Sequence, residues 1–150
     1  MTTERRLRAA RMLKRMSKVR ALRAAAVLAA ATREERDRQS TLDGAEAACA
    51  AVAAASGECL VEGQHLDTAR YDMLSRLGAA LAQQHEQATS RLQEAAAQRL
   101  ANAVESLRAR RRNERDDERA MVLEHARARL HAARVNEDAV DLWLKHREQP

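Results

Sequence analysis

GECLVEGQHLD, residues 57–67, holds two of the chain's four glycines and lacks helical spacing. It is the one stretch that reads as a connection, and it decides the fold. Gly57 is placed to end a preceding helix as a left-handed cap. Asp67 or Thr68 is placed to cap a following one. Before it, Leu42, Ala45, Cys49 and Val52 recur at three and four residues, which marks one face of a helix. Further back, across the wholly non-apolar run TREERDRQST, a second set does the same: Met12, Met16, Val19, Leu22, Ala26 and Ala29.

After the connection, a stripe runs Leu74, Leu77, Leu81, Ala88, Leu92, Ala96, Leu100, Ala103 and Leu107. It resumes at Leu123, Ala126, Leu130, Ala133, Glu137, Val140 and Leu144. The spacing slips in places, and no clean heptad is visible. Only Gly78 interrupts the helix formers between Thr68 and Gln149, and one glycine costs about 1 kcal/mol without ending so strong a helix. The prediction is all-α: a single hairpin over residues 1–150, with one helix at about 4–56, the connection at about 57–67 and a second helix at about 68–146. At 1.5 Å per residue the helices span roughly 80 Å and roughly 120 Å. A short connection makes them antiparallel neighbours in a coiled coil without a globular core. The second helix outruns the first, so residues near 122–146 are expected to project beyond it.

Composition agrees. The chain has 150 residues, no Phe, one Tyr (Tyr71), one Trp (Trp143) and a single proline, Pro150. Aromatics supply much of a compact core, whereas Ala, Glu, Leu and Arg in helical periodicity belong to long helices. Cys49 and Cys59 have no metal-ligand spacing and are too few for a disulfide framework, so they read as reduced thiols. The basic start followed by ALRAAAVLAAA superficially resembles a secretion signal. Arg23 interrupts the apolar stretch and helical spacing begins before it, so no cleaved signal is expected. No apolar run approaches the ~18 residues that a membrane span needs.

The net charge is +5, and from Arg5 to Arg23 there are nine basic residues and no acid. A basic surface calls for an acidic partner. RARRRNERDDER, residues 108–119, reads as a wet helix surface: Arg110 and Glu114 lie four apart, as do Arg112 and Asp116, while Arg115 and Glu118, and Asp116 and Arg119, lie three apart. Each such pair is worth only a few tenths of a kcal/mol. A hairpin centred near residue 62 sets this stretch beside TERRLRAARMLK, with Arg5, Arg6, Arg8 and Arg11 against Arg108, Arg110, Arg111 and Arg112.

No catalytic motif is present: no phosphate loop, nucleophile motif or H-E-x-x-H. His65, His85, His125, His131 and His146 form no ligand set, so neither enzyme activity, cofactor nor metal is expected. Nucleic-acid binding is disfavoured by the acids after residue 112 and by the lack of stacking aromatics. An interfacial amphipathic helix at residues 5–31 is disfavoured because its apolar face is mostly alanine.

YDMLSRLGAALAQQH, Tyr71 to His85, opens the second helix, and the C-terminus carries RVNEDAVDLW. With the basic, Ala- and Arg-rich hairpin of this length, these stretches resemble the stalk proteins of type III secretion, the flagellar FliJ and virulence YscO group. The resemblance covers the whole chain in architecture. It implies a cytoplasmic coiled coil, peripheral to the inner-membrane export apparatus, that inserts its open end into the hexameric export ATPase and stimulates it. It further implies contact with the cytoplasmic linker of the export gate protein and the handing on of export chaperones. On that resemblance, the ATPase-facing residues are Arg5, Arg6, Arg8, Arg11, Arg108, Arg110, Arg111, Arg112 and Trp143. The gate-facing residues are Tyr71, Leu74, Gly78, Leu81 and His85; on the first helix no match to the gate positions is found. The alternatives are a coiled-coil adaptor or secretion chaperone without an ATPase partner, and a small basic nucleic-acid binder.

Overall fold

A computed structural model describes residues 3–60 and 67–147, with side chains for 4–60 and 67–145. The chain is all-α. Helix α1 spans Thr3–Glu58 and α2 spans Thr68–Arg147, and no strand occurs among the described residues. Most of the predicted connection, residues 61–66, lies outside the described residues, as do His65 and the side chain of His146. At the start of α2 the Asp67 carboxylate accepts from the Arg70 amide at 3.0 Å, and the Asp67 carbonyl accepts from the Tyr71 amide at 3.0 Å. Asp67 is therefore the N-cap, and Thr68 is the first helical residue. The expectation for Gly57 fails: it is still helical, it has no left-handed backbone, and its carbonyl accepts from the Leu60 amide at 3.0 Å in the turn that follows. Helix α1 simply runs past it to Glu58.

By packing, the chain divides into two compact units, Ala26–Val104 and Met1–Ala25 with Glu105–Pro150. In the first, α1 contributes Leu28, Ala31, Glu35, Arg38, Leu42, Ala45, Cys49 and Val52, all buried or half-buried at alternating spacings of three and four. The facing row on α2 is Leu74, Gly78, Leu81, His85, Ala88, Leu92, Ala95, Arg99 and Asn102. Antiparallel pairing is fixed by three contacts: Glu46 lies 3.5 Å from His85, Glu35 lies 2.6 Å from Arg99, and Val52 packs beside Gly78.

In the other unit the seam is smaller and more polar. Helix α1 supplies Leu7, Ala10, Lys14, Ser17, Ala21 and Ala24, and α2 supplies Ser106, Ala109, Asn113, Asp116, Ala120 and Leu123, again at threes and fours. Arg11 reaches Glu124 at 2.9 Å, Lys14 pairs with Asp117, Ser17 donates to Asn113 at 3.4 Å, and Glu4 lies 3.7 Å from Arg127.

Both seams follow a heptad spacing that hydrophobicity alone conceals. The a and d positions hold alanine, serine, glycine and charged residues more often than leucine. Small residues let the backbones approach, so they take the inside, and larger apolar side chains are left outside. The predicted stripe Met12, Met16, Val19 and Leu22 therefore does not face α2: these residues are 61, 47, 46 and 62 % exposed. Leu77, Leu100 and Leu107 of the second predicted stripe face solvent too, whereas Leu42, Leu74 and Ala88 are buried as expected. Among the described residues no helix is long and apolar enough to cross a membrane.

Candidate partner-binding surfaces

The residues expected to face an ATPase lie in the unit that contains the N-terminal half of α1, but they do not form one patch. Ser17 opposes Asn113 and Lys14 opposes Asp117, so the Arg5–Arg11 segment faces residues beyond Asp117. Arg108, Arg110, Arg111 and Arg112 lie before Asn113, on the far side of Ser17 from the N-terminus. The predicted like-charge juxtaposition is wrong. The observed pairs set the register about two turns of helix away from that of a hairpin centred near residue 62. Acids meet the basic segment instead: Glu124 holds Arg11 and Asp117 holds Lys14. The Lys14 ammonium is pushed above its usual range of about 10.5 by its hydrogen bond to Asp117 first and by the charge of that carboxylate second, with Glu124 adding to the same sign.

Arg5, Arg6 and Arg8 are exposed, and Arg8 lies 4.0 Å from Glu4. The second arginine cluster is also exposed, and Arg108 and Arg110 within it are tied to their own helix. Arg108 pairs with Glu105 at 2.7 Å, Arg110 with Glu114 at 2.9 Å and Arg119 with Asp116 at 3.9 Å. Two of these three are the pairs expected from spacing inside RARRRNERDDER.

Glu4, in the first turn of α1, lies against Arg127, and α2 continues to Arg147. Residues 131–145 are all exposed, a shorter projection than the expected 122–146, because Leu123 and Ala126 still pack in the unit. The projecting helix carries Val135, Val140, Leu142, Trp143 and Leu144, with Trp143 60 % exposed.

The residues expected to face an export gate are mostly seam. Leu74 is buried, and Gly78 and Leu81 are half-buried between the two helices. They lie in the seam that joins the two helices. His85 sits at the rim, with Nε2 3.5 Å from Glu46, and Tyr71 is exposed at the first turn of α2. Cys49 and Cys59 are both free thiols, half-buried. The grooves beside the seams are shallow. One, in the unit of residues 26–104, runs past Thr41, Gly44, Ala45, Leu81 and Ala88. Another, in the other unit, is apolar and is formed by Ala9, Leu13, Val122 and Leu123 under Arg6 and Arg119. Among the described residues no three His, Cys, Asp or Glu side chains converge as for a metal ion.

The outward positions are what sequence reasoning missed. Their signal was the alternation of small and large residues along each apolar set, which separates a close-packed inner row from an outer one. No family model matches the sequence, and comparisons with curated proteins and with solved structures give no match.

Proposed function

We propose that the chain is a non-enzymatic stalk and escort component of a type III protein export apparatus, cytoplasmic and peripheral to the inner membrane. In this role it enters the hexameric export ATPase by its open end and stimulates it. The observation that carries the proposal is the exposed C-terminal run of α2. A helix that leaves Val140, Leu142, Trp143 and Leu144 exposed is suited to insertion into a partner's opening. Tryptophan in such a place is a common anchor of interfaces. The exposed Arg5, Arg6 and Arg8, and Arg108, Arg110, Arg111 and Arg112, add positive charge that steers the unit toward an acidic collar and makes association salt-sensitive. Contact with the linker of the export gate, if made near the start of α2, falls to Tyr71 and His85.

The test is titration of the purified chain into the export ATPase of its own organism, following turnover and hexamer formation. Both are expected to rise. Trp143→Ala is expected to weaken stimulation by about tenfold or more, and Arg5→Glu/Arg6→Glu/Arg8→Glu to slow association at low salt. No effect of the wild-type chain at any ratio sinks the stalk role. The exposed outer side chains of Leu100 and Val104 then favour a second reading, a coiled-coil adaptor or chaperone that packs another helix there.

A further inference from the structure

The outward face of α1 between Met12 and Arg23 is left unexplained by the stalk role. Its acid-free charge was legible in the sequence, but its apolar content was assigned to the seam. The structure reverses that assignment. Ala10, Ala21 and Ala24 turn inward, and Met12, Met16, Val19 and Leu22 turn outward. An alanine face was the objection to an interfacial helix, and the exposed face is one of methionine, valine and leucine.

Arg15, Lys18, Arg20 and Arg23 are exposed around these side chains and, among the described residues, take no ion-pair partner. Three acids of this unit are held elsewhere. Asp117 and Glu124 are spent on Lys14 and Arg11 at the seam, and Glu4, at the edge, contacts Arg127 and Arg8. The outer face is thus both cationic and apolar, over about three helical turns.

We propose that this face binds an anionic membrane surface, with α1 lying in the headgroup plane and α2 behind it. The basic side chains find lipid phosphates, their aliphatic stems lie along the interface, and Met12, Met16, Val19 and Leu22 enter the acyl boundary. Flexible thioethers suit so irregular a contact. A nucleic acid would satisfy the charges equally, through counterion release, but it gives the four outward apolar side chains nowhere to go. That difference favours lipid and supplies the test. The proposal stands whether or not the export role does.

The full-length chain is sedimented with vesicles of phosphatidylcholine alone and of phosphatidylcholine mixed with phosphatidylglycerol. In parallel, its retention of duplex DNA is measured. Binding is expected on the mixed vesicles only, falling as salt rises. Met12→Gln/Met16→Gln/Val19→Gln is expected to weaken vesicle binding by about tenfold or more and to leave DNA retention unchanged. All three positions face solvent, so unchanged helix content by circular dichroism confirms that the variant folds. Arg15→Gln/Lys18→Gln/Arg23→Gln is expected to lose both. The proposal is overturned if the mixed vesicles are not bound, if both vesicle types bind alike, or if the apolar variant binds mixed vesicles as well as the wild type does.

Discussion

The two units are built on the same spacing but from different residues. In the unit of residues 26–104 the seam contains Leu28, Leu42, Leu74, Leu81 and Leu92. In the unit of residues 1–25 and 105–150 it contains two leucines, Leu7 and Leu123, and the positions between them are held by alanine, Ser17, Asn113, Lys14 and Asp116. Leucine seams gain stability from area removed from water. Alanine and polar seams gain less area and depend on hydrogen bonds whose net worth is about 1 kcal/mol or below. The same helices therefore carry one strongly and one weakly closed region. A helix pair that opens locally at low cost is the region from which binding surfaces are drawn.

The largest expected effect follows from this contrast. Leu74→Ala removes a buried leucine 8 % exposed and should cost about 2 kcal/mol, the low end for such truncations because a two-helix seam keeps one side wet. Leu7→Ala, although Leu7 is only 3 % exposed, should cost about half as much, because the polar unit can open around it. Urea unfolding followed by circular dichroism measures both. Equal costs, or a greater cost at Leu7, would break the contrast between the units.

A smaller effect of opposite sign is expected at Gly78. A methyl group there would meet Val52 at 3.6 Å, an ordinary van der Waals contact. Gly78→Ala should therefore stabilise the helix by about 1 kcal/mol, the difference in helical propensity. The same unfolding experiment reads it. A loss of stability would mean that the leucine-rich seam is closed more tightly at Gly78 than that contact allows. Gly44, where an added methyl group would meet nothing within 4 Å, gives the unstrained reference.

The helices, their ends within a few residues and the Asp67 cap were legible because helix propensity and breakers are local properties. Leu42, Leu74, Leu81 and Ala88 were legible as seam because there large apolar residues do occupy the inner positions. The N-terminal half failed for a physical reason. Where the inner row is alanine, lysine and serine, hydrophobicity points to the outer row, so Met12, Met16 and Val19 were placed inside. The register failed for another reason. The connection says that the chain turns but not at which residue, and a few residues of error moved Arg108–Arg112 away from the partners expected for them. The ion pairs Lys14–Asp117 and Arg11–Glu124 and the Ser17–Asn113 hydrogen bond settle it.

Those ion pairs give the smallest effect and its pH sign. Lys14 has its proton affinity raised in the folded chain by Asp117. Its contribution to stability is therefore complete below the unfolded value of about 10.5 and is lost as pH rises through the higher folded value. The pair is exposed, so the effect is small and screened by salt. It is separable because the chain has only three lysines, Lys14, Lys18 and Lys145, and arginine stays charged throughout this range. Thermal unfolding from about pH 9 to about pH 12 should show a falling midpoint in the wild type. Lys14→Met should show a shallower fall, and the difference between the two should shrink in high salt. If Lys14→Met follows the wild-type curve at every pH, the ion pair contributes nothing to closing the polar seam.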